Sequence, residues 1–192
     1  MSIKVVTGPN TRFSYVTVWE PKSNNGSEPK YSASLLIPKT DIDTIQKINA
    51  AIQAAYESGA DILKGKSSSV PALAAIRTPL RDGDVERPDD PGYAGCYFIH
   101  ANNKRQPGVV DAQCNPILDK TEVYSGCYGR ASINLYAYNS NGNRGIGAAL
   151  NHIQKLRDGE PLGGGSTAAQ DFGGLESAPA AGGINPITGL PM

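Results

Sequence analysis

Between Gly126 and Tyr138 apolar and polar positions alternate without a break: Cys127, Gly129, Ala131, Ile133, Leu135 and Ala137 on one parity, Tyr128, Arg130, Ser132, Asn134, Tyr136 and Tyr138 on the other. A period of two is the mark of a half-buried β-strand, so this stretch predicts a long strand whose small and aliphatic face turns toward a curved core. Asn139 to Gly145 reads as its hairpin turn. Ile146, Leu150, Ile153 and Leu156 also fit a helix, but the turn before them and Gly145 and Gly147 favour a returning strand over 146–156.

Arg12 to Glu20 sets Phe13, Tyr15, Thr17 and Trp19 against Ser14, Val16 and Val18, and Lys30 to Pro38 sets Tyr31, Ala33, Leu35 and Ile37 against Ser32, Ser34 and Leu36. Together they predict a first hairpin. Its connection, Pro21 to Pro29, is flanked by Lys22 and Lys30 and is either a long polar turn or a loop able to close over a ligand. From Asp41 to Tyr56 the period becomes helical, with Ile42, Ile45, Ile48, Ile52 and Tyr56 on one face, Thr40 placed as the cap and Gly59 as the exit. Cys96 to Ala101 and Gly108 to Ala112 are short strands joined by the polar turn Asn102 to Pro107.

These elements predict a mainly β fold with one inserted helix, an OB-fold-like antiparallel barrel with long loops, over residues 1–162. After Leu162 the chain is rich in Gly, Ala and Pro, a composition that buries too little apolar surface to order itself, and 163–192 are expected to form a disordered tail. Its scattered Phe172, Leu175, Ile184, Ile187 and Leu190 are either docking points for a partner protein or parts of a plain spacer.

Composition narrows the function. The chain has 192 residues, with Lys+Arg 18 against Asp+Glu 18, so it is not a generic polycation. No apolar run approaches the ~20 residues that span a bilayer, and the first residues lack the zones of a signal peptide, so a soluble, cytoplasmic protein without a membrane partner is expected. Cys96, Cys114 and Cys127 lie in or beside apolar runs and read as reduced core thiols. Cys96 and His100 make a Cys-x-x-x-His spacing, but no paired Cys-x-x-Cys accompanies it, and no metal or other cofactor is expected.

Lys64-Gly65-Lys66-Ser67 suggests a phosphate loop, yet Gly59 precedes it at the wrong spacing and a helix stands where a strand is needed. Lys64 and Lys66 remain as basic loop residues. The acids from Asp82 to Asp90 miss the Ca²⁺-loop spacing and read as charge pairing with Arg77 and Arg81 nearby. No nucleophile, base and orienting group stand at an interpretable spacing, so an enzyme is not expected.

The polar parity of the long strand is the remaining candidate. Phenol rings beside a guanidinium can stack bases and follow phosphates, and the reading assigns Tyr128, Tyr136 and Tyr138 to stacking and Arg130, Arg144, Lys104, Arg105, Arg77 and Arg81 to the backbone. Tyr97 and Phe98 point to opposite faces, so only one of them can join Lys104 and Arg105, and Tyr97 is the candidate. The plainer alternative is that strands favour tyrosine and the rings pack on a neighbouring loop or subunit, as in a self-assembling structural protein.

The succession of motifs is also specific. Pro79-Leu80-Arg81-Asp82-Gly83-Asp84, Tyr97-Phe98-Ile99-His100-Ala101, Tyr124 to Arg130, Tyr136-Ala137-Tyr138, Gly145-Ile146-Gly147, Leu150 to Lys155 and Asp158 to Leu162 resemble, in this order, a family of tailed-phage single-stranded DNA-binding proteins. The resemblance implies an OB-fold that coats single-stranded DNA in phage replication, recombination and repair without catalysis, with self-association along the strand. It would also imply recruitment of replication or recombination proteins through the tail. Here the tail departs from the strongly acidic, aromatic-ended pattern, since Asp171 and Glu176 are its only acids.

Overall fold

In the computed structural model, which describes residues 2–162, the alternating stretches become strands of one sheet that closes on itself. The elements are β1 (Ser2–Val6), β2 (Thr11–Lys22), β3 (Lys30–Pro38), α1 (Ile42–Ser58), α2 (Ala60–Lys64), β4 (Arg81–Asp82), α3 (Gly83–Glu86), β5 (Cys96–Asn103), β6 (Gly108–Val110), β7 (Tyr128–Ser140) and β8 (Asn143–Arg157). The ring runs β7, β2, β3, β5, β8 and back to β7, with β1 continuing along the β2 edge of β7, β6 added to β8 and β4 to β5. The OB-like, mainly β architecture expected from the pattern is present. The tail expected over 163–192 lies outside the described residues.

The stretch 146–156 is strand throughout. Asn141 and Gly142, both at positive φ (51° and 83°), make the two-residue turn that fits the twist of adjoining strands and sets β7 against β8 from Ser140↔Asn143 to Tyr128↔Arg157. The sheet is not wholly antiparallel. The chain leaves β5 by a long crossing connection and returns through the β7–β8 hairpin, so β8 runs parallel to β5 at Asn102↔Ala149 and parallel to β6.

The inward parity fills the ring: Phe13, Val18, Leu35, Ile37, Ile99, Ile133, Leu135, Leu150 and Ile153 are buried, each such side chain stabilising the fold by ~1.5–3 kcal/mol. Helix α1 lays Thr44, Ile48, Ala51, Ile52 and Ala55 onto β1 and β7. Its cap is Asp41, whose carboxylate accepts from the Thr44 N–H at 3.3 Å, and not Thr40. At the exit, Gly59 lets the helix end meet β7, since a Cβ there would lie 2.2 Å from that of Ala137. Two short helices, α2 and α3, join the expected one.

The first hairpin holds a departure from its pattern. A bulge between Ser14 and Thr17 breaks the alternation of β2, so Phe13 and Val18 both face inward and Tyr15, at φ 47°, is thrown outward and is 56% exposed. Beyond the ring, the outward residues Leu36 and Phe98 form a second small core with Tyr93, roofed by the 83–95 segment. Cys127 is buried and Cys96 half-buried, whereas Cys114 sits exposed in a turn at φ 65° and is no core thiol. Among the described residues no helix is long and apolar enough to cross a membrane.

Candidate nucleic-acid interface

A groove crosses the outer face of the ring. Its floor is the outward parity of β3 and β5, where the register sets Ser32 against Asn102 and Ser34 against His100. The Ser34 hydroxyl lies 3.3 Å from His100 Nδ1. Small and polar groups keep this floor low while the roofed Leu36–Phe98 core closes one end. The groove comprises two adjoining depressions of about 680 and 670 Å³ that share Lys30, His100 and Asn102.

One wall is built by β7, β8 and the segment before β4. Tyr136 and Tyr138 project from β7 opposite Gly147 and Gly145, and these glycines decide their exposure. A Cβ on Gly147 would lie 2.8 Å from the Tyr136 ring, and one on Gly145 2.8 Å from the Tyr138 hydroxyl. The neighbour of Tyr136 on its other side is Ser2, also small. Arg77 reaches this wall because its backbone bonds to β8, donating to the Arg144 carbonyl at 3.4 Å and accepting from the Ile146 N–H at 2.8 Å. Arg81 follows on β4, paired with Glu86 and with its guanidinium 5.6 Å from the Phe98 ring centre.

The opposite wall carries Tyr15, Arg87 and the Lys22–Lys30 hairpin. Tyr15 stands 6.5 Å from Tyr93, and Arg87 lies 5.6 Å over the same ring. A tyrosine held in the left-handed region costs of order 1–3 kcal/mol, a strain that clusters where a side chain must be aimed. Lys22, Lys30, Arg77, Arg81 and Arg87 thus outnumber Glu28 and Glu86 in the lining of the groove. Partial desolvation by the surrounding groove, then the charges of Arg87 and Arg81, hold His100, itself still exposed, below its ordinary pKa of 6.5, so the floor is uncharged at neutral pH while the rims are positive.

The residues singled out from the sequence are distributed unevenly. Tyr136, Tyr138, Arg77 and Arg81 come together in the groove. Arg144 lies beside it with Arg77, donating to the Ser67 hydroxyl at 2.5 Å. Lys104 stands on the rim, 2.5 Å from Glu28 of the hairpin. Arg105 lines a separate cleft. Tyr97 has the inward parity of Ile99 and Ala101 and ends outside the groove, with the Lys39 amino group 5.1 Å from its ring centre and Asp82 and Asp84 each 2.8 Å from that amino group.

Tyr128 and Arg130 stand at the far end of β7. The Tyr128 ring lies between the guanidiniums of Arg12 at 5.2 Å and Arg157 at 4.2 Å. Arg130 donates to the Gln154 amide oxygen at 3.3 Å. Sequence reasoning missed Tyr15, Ser32, Ser34, Arg87, His100 and Asn102 as groove residues. Tyr15 carried no warning, because the bulge that exposes it interrupts an otherwise regular alternation. The short polar side chains opposite one another in β3 and β5 did carry a signal, since an outer face of serines and asparagine offers hydrogen bonds without bulk.

Known proteins agree with this architecture. The sequence model of the family described as "Enterobacter phage Enc34, ssDNA-binding protein" matches residues 3–181. "Putative protein p50" of Acyrthosiphon pisum secondary endosymbiont phage 1 is 35% identical over 175 residues, which cover 88% of this chain and 92% of that protein. Among solved structures, the single-stranded DNA-binding protein from bacteriophage Enc34 in complex with ssDNA is similar at a TM-score of 0.67 and 29% identity, over 84% of this chain and 89% of that one. The single-stranded DNA-binding protein gp2.5 encoded by bacteriophage T7 is similar at a TM-score of 0.56 and 15% identity, over 94% and 100% of the two chains, and shares the fold alone. With a family match running from residue 3 to residue 181, this chain belongs to the family of the Enterobacter phage Enc34 ssDNA-binding protein.

Proposed function

We propose that this protein binds single-stranded DNA in the groove, without sequence preference and without catalysis, to cover exposed strands during phage DNA replication and recombination in the host cytoplasm. The observation that carries this reading is the pairing of exposed Tyr136 and half-buried Tyr138 on one wall with exposed Tyr15 on the other, with cationic rims over a neutral floor. Every base has a π-face, so stacking on such rings tolerates any sequence, and each stacked base contributes ~1–3 kcal/mol. Duplex DNA hides those faces and RNA adds a 2′-hydroxyl. Relatives support the reading: the Enc34 protein, solved with ssDNA, is 29% identical over most of the chain.

In this reading successive copies follow one another along a strand. Fluorescence anisotropy with matched single-stranded, duplex and RNA oligonucleotides over a salt series tests the function. Single strands should bind best, with affinity falling as salt rises because bound phosphates release counterions. No binding to any single strand at low salt overturns the reading.

A further inference from the structure

A second cleft, of about 330 Å³, opens on the same outward face of β7 two residues from the groove. It is lined by Lys4 of β1, Ser132 and Asn134 of β7, Asn151 and His152 of β8, Asn103 at the end of β5, and Arg105 and Gln106 just beyond it. No carboxylate lines it, in contrast to the groove with its Glu28 and Glu86. Lys4 and Arg105 are exposed and form no ion pair among the described residues.

The other donors are held in place. His152 Nδ1 accepts from the Gly108 N–H at 3.1 Å, which leaves the ring proton on Nε2 as a donor. Gly108 permits that approach, since a Cβ there would lie 2.8 Å from Nδ1. Asn151 donates to Asn134 at 3.0 Å, Asn103 donates to the Leu150 carbonyl at 3.0 Å, and the Arg105 N–H donates to Asn103 at 3.1 Å. The Ser132 hydroxyl is shielded from solvent and has no hydrogen-bond partner among the described residues.

The His152 Nε2–H, the second N–H of the Asn103 and Asn151 amides, two cations without an ion pair among the described residues and an unsatisfied hydroxyl, with no acid in the lining, make an anion site. The cleft also adjoins the groove. Asn134 and Tyr136 are two residues apart on one strand face, a rise of roughly 6.6 Å, and Asn103 follows Asn102 of the groove floor. We infer that this cleft binds phosphodiester groups of a single strand that leaves the groove past Tyr136, which extends the footprint without adding a stacking ring. This rests on the groove reading for the path of the strand.

The test compares wild type with the Lys4→Ala/Arg105→Ala double variant on oligothymidylates of increasing length. Neither side chain supports the fold, and an unchanged melting temperature checks this. Wild-type affinity should rise in a step once the oligonucleotide is long enough to pass from groove to cleft. The double variant should keep the affinity for short oligonucleotides, lose the step, and show a salt slope on long ones smaller by about 1.4, or ~0.7 for each lost phosphate contact. A step and slope equal to wild type overturn the inference and leave the groove standing, whereas failure of short oligonucleotides to bind either protein overturns the groove. Free phosphate is the other source of the same chemistry. Binding of inorganic phosphate by wild type that the double variant loses, with no length-dependent step in either protein, would assign the cleft to free phosphate and overturn the inference, whereas a step that phosphate competes away assigns it to the strand.

Discussion

The two ends of β7 carry the same chemistry, phenol rings and guanidiniums on one outward face, and meet different fates. At the Tyr128 end the cross-strand neighbours are Arg12 and Arg157, whose guanidiniums cover the ring. Those guanidiniums are occupied in turn: Arg12 donates to the carbonyls of Gly126 at 3.1 Å and Glu160 at 2.5 Å, and Arg157 to Asn10 at 3.3 Å. At the Tyr136 end the neighbours are Ser2, Gly145 and Gly147, too small to cover anything. The first end satisfies its aromatic and cationic groups internally and serves to hold the ring closed. The second leaves Tyr136 exposed beside small neighbours, the feature on which the proposed groove binding rests.

This contrast can be broken most forcefully at the open end. Tyr136→Ala with Tyr138→Ala should lower single-strand affinity by ~1–3 kcal/mol for each base that loses its ring, with little change in stability. Anisotropy titration checks the first and thermal melting the second. Tyr128→Ala should do the reverse. It removes two partly exposed cation–π contacts of ~0.5–1 kcal/mol each, so the melting temperature should fall by roughly 2–8 °C while the folded protein keeps its affinity.

Arg77→Ala sharpens the comparison electrostatically. Its side chain is exposed while its backbone holds β8, so the fold should persist and the log–log salt slope should drop by about 0.7, measured by titration at several salt concentrations. The smallest effect is a pH dependence at His100. Because its folded pKa lies below 6.5, the unfolded chain takes up a proton first, and the stability held by neutral His100 is lost as pH falls from 6.5 through the lower folded value. A bound phosphate raises that pKa, so binding takes up a proton and affinity should increase as pH falls through the bound-state value toward the free one. Oligothymidylate titrations across that range should show the increase in wild type and lose it in His100→Gln.

Much of the fold is written in local pattern. The alternation of β7, the helical period of α1 and the Asn141-Gly142 turn each follow from short-range rules, and the turn also sets the register. Counting back from it pairs Tyr138 with Gly145 and Tyr136 with Gly147, so the openness of those rings was within reach of the sequence. The covering of Tyr128 was not, because Arg12 lies more than a hundred residues away and reaches it only through ring closure. Tyr97 illustrates the same limit: its parity was readable, but the Lys39 that covers its ring and the acids that hold Lys39 come from separate segments. Tyr15 escaped because a bulge is a local exception to the rule that defines the strand.

Photo-crosslinking of an oligothymidylate to the protein, followed by mass mapping of the attached peptides, tests the central claim most directly. Binding in the groove should give adducts at Tyr136, Tyr138 and Tyr15, with none at Tyr128. Adducts confined to Tyr128 and the segments bearing Arg12 and Arg157 would contradict it.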